Sequence, residues 1–110
     1  MRGLYFDQGH VLDRARPVLE AAGLAGSAEL VPRNFFESVP AADAYFLRPI
    51  IHDWTDEASL QILRNIRKAI ASTGRLLIVE TVVPEDNEPS AGKNFDISMM
   101  LFPNGLERTE

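Results

Sequence analysis

Apolar residues recur along this chain with two periods, and the places where the period changes divide it into strands and helices. Gly3 to Phe6 is a short apolar run closed by Asp7, a strand that starts almost without a lead-in. Such a start suggests an element upstream. From His10 to Ala22 the residues Val11, Leu12, Ala15, Val18, Leu19 and Ala22 recur at helical spacing, and Gly23 is placed to close the helix. Pro17 falls inside that run, so a kink or a late helix start is expected there. Glu29 to Val31 reads as a second strand. It leads into Pro32-Arg33-Asn34-Phe35-Phe36, a loop in which at least one aromatic ring should plug the core.

A turn-rich connection, Val39-Pro-Ala-Ala-Asp, precedes Ala44 to Ile51, a third strand whose apolar character on both faces suits a buried parallel position. Pro49 interrupts it and argues that the regular ladder ends before His52. The next helix is the clearest element. Thr55 can cap it, Asp56 and Glu57 favour its positive end, and Ile62, Leu63, Ile66, Ala69 and Ile70 form one apolar stripe. Arg64, Arg67 and Lys68 lie off the stripe as a solvated face. Gly74 ends the connection, and Arg75 to Val83 reads as a fully buried central strand carrying Glu80 within it. Pro84 to Gly92 is a surface loop that could act as a mobile lid. Phe95, Ile97, Met99, Met100 and Leu101 then predict a short helix, and Gly105 to Glu110 reads as the start of another element.

Strand, helix, strand, repeated once, is the order of a doubly wound α/β sheet with helices on its faces. At 110 residues the chain suits a single domain. The formal charge of −5, with 11 scattered Lys and Arg, argues against nucleic acid or an anionic membrane as partner. The lack of cysteine rules out a thiolate nucleophile or a zinc-thiolate site and fits a reducing compartment. The opening residues lack the apolar core of a signal peptide, so a cytoplasmic protein is expected.

In open α/β sheets, ligands bind outside the carboxyl ends of the strands, which draws attention to His52-Asp53-Trp54. His52 is a candidate general base. Glu80, expected near the end of a neighbouring strand, could hold the imidazole's far nitrogen and select the proton-accepting tautomer. Alternatively Glu80 is paired to an arginine or to backbone donors. Asp7 is placed as the acid that binds ribose hydroxyls, although no glycine-rich loop occurs in the chain. No serine sits in a nucleophile-elbow context, and the two histidines, His10 and His52, give no metal spacing.

The ordered set Phe6-Asp7-Gln8, Phe35-Phe36-Glu37-Ser38-Val39-Pro40, Ile51-His52-Asp53-Trp54 with Asp56-Glu57, Ile62-Leu63-Arg64-Asn65, Gly74-Arg75-Leu76-Leu77, Val79-Glu80, Asp96 with Met99-Met100, and Gly105 with Glu107-Arg108-Thr109 resembles a known family. It is that of the S-adenosylmethionine-dependent O-methyltransferases of bacteria, fungi and plants, and the resemblance covers nearly the whole chain. It implies a partial doubly wound (Rossmann-like) methyltransferase sheet with flanking helices. The first strand with its Gly-rich loop, the last strands and an N-terminal dimerisation domain would be absent, so residues 1–110 would be the central part of a catalytic domain.

By the same resemblance, His52 takes the base role and Glu80 and Glu107 flank it. Asp7 would hold the ribose of S-adenosyl-L-methionine with Gln8 beside it, Asn34 and Phe35 would border the adenine, and Arg48 would contact the cofactor. Asp53 would meet the hydroxyl of a small, aromatic or polyketide-like acceptor, and Met99 could clamp it. Two departures matter. Arg33-Asn34 stands where relatives commonly carry Gly-Asp, and Pro49 replaces a polar or bulky residue, so cofactor affinity is expected to be weak or lost. Methyl transfer by this chain alone is expected to be nearly absent. The competing expectations are a non-catalytic remnant that binds a partner or self-associates through open sheet edges, and a dehydrogenase fragment, which shares the fold without the His-Asp-Trp pattern.

Overall fold

The computed structural model describes residues 2–102 and 105–109. Its strands form two parallel pairs, and in each pair a helix makes the crossover that parallel strands require. In the first pair β1 (Gly3–Asp7) runs beside β2 (Ala28–Pro32), in register from Gly3 opposite Ala28 to Asp7 opposite Pro32, with α1 (Gly9–Ala21) between them. In the second, β3 (Ala42–Leu47) pairs with β4 (Ile70–Ile78) through α2 (Asp56–Ala69). A short helix, α3 (Ala91–Met99), follows. The parallel α/β order read from the sequence is therefore present, as two two-stranded sheets that share no hydrogen-bonded neighbour.

The helices form where the pattern placed them. α1 begins at Gly9 and runs through Pro17 without the late start expected there. Pro17 and Asp13, whose carbonyl loses its partner, both lie on the exposed face, so water can take the vacant bond. Gly23 closes the helix with φ 70°, a conformation glycine adopts without steric cost. At α2 the Thr55 hydroxyl accepts the Ala58 N–H at 3.3 Å, and Ile62 and Ile66 are buried while Arg64, Arg67 and Lys68 are exposed.

The strands depart further from expectation. β3 stops at Leu47, so the ladder ends ahead of Pro49, as its missing N–H requires. β4 starts straight from α2 at Ile70 and stops at Ile78, which places Glu80 beyond the strand and not within it. A register shift between Ala42 and Ala44 absorbs the extra residues, since Ala42 faces Ile70 and Ala44 already faces Arg75. Gly74 makes this possible. A Cβ there would lie 2.4 Å from Ile70 Cγ1, 2.8 Å from the Asp43 carbonyl oxygen and 2.9 Å from that of Ala71.

Neither β3 nor β4 is the buried central strand that its composition predicted. Phe46 is 65% exposed, and Leu76, Leu77, Ile78 and Val79 are exposed as well. Among the described residues no third strand lies beside either pair to cover them. The accessible surface of 8161 Å² exceeds the roughly 6,100 Å² of a compact 12.2 kDa monomer, and the radius of gyration of 16.0 Å exceeds the roughly 13 Å expected at this length. The buried apolar core is correspondingly small: Leu12, Ile51, Ile62, Ile66 and Met99. No helix among the described residues is long and apolar enough to cross a membrane.

Gly74→Ala should lower the stability of the chain by about 2 kcal/mol, because backbone must move to admit the methyl group. Urea unfolding measures it, and an unchanged midpoint would show that the bulge tolerates a side chain.

Candidate active site

The carboxyl ends of the two strand pairs are joined by aromatic rings. Phe35 and Phe36, just after β2, pack edge-on against each other at 4.9 Å and against Trp54 at 5.8 and 4.7 Å. Both rings are half-buried, so they plug a junction between the pairs instead of a deep core. From α2 the Asn65 side chain donates to the Phe35 carbonyl at 2.8 Å, and that of Gln61 to the Phe36 carbonyl at 3.4 Å. Asn65 is a buried polar residue that the apolar stripe concealed. Its place between Ile62 and Ile66 was the available signal, since an amide there needs a partner.

Past β3 the chain makes one 3-10 turn, Ile51–Asp53, which carries His52 into a buried position. Its Nδ1–H donates to Glu107 Oε1 at 2.7 Å, and the Glu107 side chain has no exposed surface. A neutral ring so bonded keeps its proton on Nδ1 and leaves Nε2 with a lone pair, the arrangement a base needs. Asp53, 53% exposed, brings Oδ1 to 3.4 Å from Nε2. The Phe95 ring of α3 stacks on the imidazole at 5.8 Å and 17°.

Of the two arrangements read for Glu80, the structure shows the one with backbone donors, beside the ring but not directly bonded to it. Its Oε2 lies 4.0 Å from His52 Nδ1, while Oε1 accepts the N–H groups of Ile50 and Ile51 at 2.9 and 2.7 Å. The direct partner of the imidazole is thus Glu107, and Glu80 fixes the backbone that presents the ring. A long acidic side chain can reach both, and the two backbone donors satisfy one oxygen before the ring is met. Glu80 Oε2 and Glu107 Oε2 are buried without hydrogen-bond partners.

The segment that delivers Glu107 is itself gripped. Leu106 N–H donates to the His52 carbonyl at 2.7 Å, and Val83 N–H donates to the Arg108 carbonyl at 2.8 Å. Met99, 4% exposed, packs on Gly105, where a Cβ would meet Met99 Cε at 2.6 Å. Met99 lies one helical turn beyond Phe95 and so on the same face of α3.

The remaining sequence candidates lie at strand ends. Asp7 closes β1, half-buried, with Oδ1 accepting the Gln8 N–H at 2.7 Å; Gln8 is exposed before α1. Asn34 follows β2 and spends its side-chain oxygen on the Phe36 N–H at 3.0 Å, which leaves the amide NH₂ as its outward donor. Arg48 is exposed just past β3. Among the described residues no three His, Asp or Glu side chains converge as metal ligands.

Residues 1–110 match the O-methyltransferase domain family, and the chain belongs to it. It is 45% identical over 109 residues to phenazine O-methyltransferase PhzM of Lysobacter antibioticus, covering 98% of this chain and 32% of that protein. Superposed on the crystal structure of LaPhzM it gives a TM-score of 0.92 at 45% identity, over 98% of this chain and 33% of the other. Against the O-methyltransferase NcsB1 from neocarzinostatin biosynthesis, solved with S-adenosylmethionine and 2-hydroxy-5-methyl naphthoic acid, the TM-score is 0.85 at 31% identity, over 99% and 32% of the two chains. The chain thus spans about a third of the length of these relatives.

Glu107→Ala should cost about 2 to 3 kcal/mol in urea unfolding, since it strips a buried imidazole of a charged acceptor, whereas Asp53→Ala, on the surface, should cost under about 0.5 kcal/mol. Equal costs would contradict the buried bond.

Proposed function

We propose that residues 1–110 form the central part of the catalytic domain of an S-adenosyl-L-methionine-dependent O-methyltransferase acting on a small hydroxylated, aromatic or polyketide-like acceptor. The observation that carries this reading is the buried His52–Glu107 bond, which leaves Nε2 free to take a proton. Family membership and the cofactor-bound relative support it.

The strand-end residues fit the cofactor. The second oxygen of Asp7 suits a ribose diol, with Gln8 alongside; the Asn34 amide and the Phe35 ring would border the adenine, and Arg48 would contact the cofactor from the end of β3. When bound, S-adenosyl-L-methionine supplies a sulfonium methyl group as the electrophile. His52 Nε2 accepts the proton of the acceptor hydroxyl as its oxygen becomes the nucleophile, and Glu107 and Glu80 stabilise the resulting imidazolium. Asp53 orients that hydroxyl beside Nε2. Phe95 is the exposed α3 side chain that would meet the acceptor ring beside the imidazole, and Met99, expected to clamp that ring, is instead buried one turn on against Gly105 and backs the same helix face.

Binding of donor and acceptor in line is a main source of rate, so a chain a third as long as its relatives should bind the cofactor weakly and turn over little. The test is a graft in which residues 1–110 replace the matching segment of the Lysobacter antibioticus enzyme. The graft should methylate that enzyme's own acceptor, and His52→Ala within it should lower kcat by about 100- to 10,000-fold while S-adenosylhomocysteine still binds in calorimetry. A folded, cofactor-binding graft indifferent to His52→Ala would overturn the base assignment.

The open strand edges and exposed apolar residues of β4 favour a second reading, a module that self-associates through its sheet edges. Light scattering should then report a species larger than 12.2 kDa, and a clean monomer would count against it.

A further inference from the structure

The Arg108 side chain makes five hydrogen bonds, and four of them reach residues 51 to 56, the turn that carries His52 and the start of α2 after it. One terminal nitrogen donates to the Ile51 carbonyl at 3.0 Å and, within its own segment, to that of Leu106 at 3.2 Å. The other donates to the Trp54 carbonyl at 2.9 Å and to Asp56 Oδ1 at 2.8 Å, and Nε donates to the same carboxylate oxygen at 3.0 Å. The carbonyls it holds belong to the residues on either side of His52-Asp53. The guanidinium spreads its donors over three nitrogens in a fixed planar fork and so spans acceptors from Ile51 to Asp56, whereas an ammonium offers its donors from a single point.

We propose that Arg108 is a positioning residue, which locks the 51–56 turn so that its sequence neighbour Glu107 meets Nδ1 of His52 and Nε2 is held as the basic nitrogen. The inference rests on the reading of His52 as base. It follows from how the two segments meet: Leu106 bonds the His52 carbonyl, Glu107 bonds the His52 ring, and Arg108 bonds the backbone before and after it. Three consecutive residues thus grip one turn from its main chain and its side chain together. Releasing the guanidinium would let the turn rotate relative to Glu107, and a bond 2.7 Å long would be the first contact to change.

The tautomer of His52 in the full chain, read by long-range ¹H–¹⁵N NMR, tests this, with the exposed His10 as internal reference. In the unaltered chain His52 should show a proton on Nδ1 and a lone pair on Nε2. Arg108→Lys and Arg108→Gln should both lose that signature and move toward the averaged shifts of His10, although the lysine keeps the charge. Should neither variant fold, Asp56→Asn, at an exposed position, removes the carboxylate anchor and should shift the spectrum in the same direction by less. A folded variant whose His52 tautomer is unchanged overturns the role of Arg108 while leaving the base assignment standing. An unaltered chain without the Nδ1 proton overturns both.

Discussion

One short bond between residues 55 positions apart, His52 Nδ1–H to Glu107 Oε1, sets the terms for the rest of this structure. It puts a carboxylate where water cannot reach, and a buried acid is costly unless partnered. The imidazole is that partner. In return the bond restrains rotation of the ring and leaves Nε2 as its outward nitrogen. The neighbouring contacts serve the same arrangement: Phe95 covers a ring face, Glu80 ties down the two N–H groups before His52, and Met99 against Gly105 seats the segment that brings Glu107.

The two parallel pairs are held in one structure by a small set of side chains, not by a shared sheet. The Phe35–Phe36–Trp54 cluster and the Asn65 and Gln61 amides bind the loop after β2 to Trp54 and to the middle of α2. This junction lies at the carboxyl ends of the strands, where the candidate residues also lie. Side-chain hydrogen bonds and ring contacts therefore gather around the site, while the strand faces further back remain open to solvent.

Helices and their caps were legible in the sequence because their causes are local: a Thr55 hydroxyl in reach of an N–H, an apolar stripe, a glycine at positive φ. The strand limits were less so. Apolar runs such as Leu76 to Val79 look like the interior of a sheet whatever lies beside them, and neighbours cannot be read from the run itself. The same limit governed the site. His52 was visible as a histidine at a strand end, yet the residues alone pointed to Glu80 as its partner. Glu107 entered only through family resemblance, because nothing near position 107 announces a contact with position 52. Arg108 shows the complementary failure, since a single guanidinium looks solvated until its acceptors are known.

The carboxylate of Glu80 has a consequence for motion. It grasps the peptide nitrogens of Ile50 and Ile51, so β4's outgoing end and the turn bearing His52 are fastened as one body. Thermal sliding of that strand would carry acid and imidazole along together. Their separation is thus insulated from breathing of the exposed β3–β4 pair, and the arrangement around His52 can survive in a scaffold whose outer faces are loosely covered.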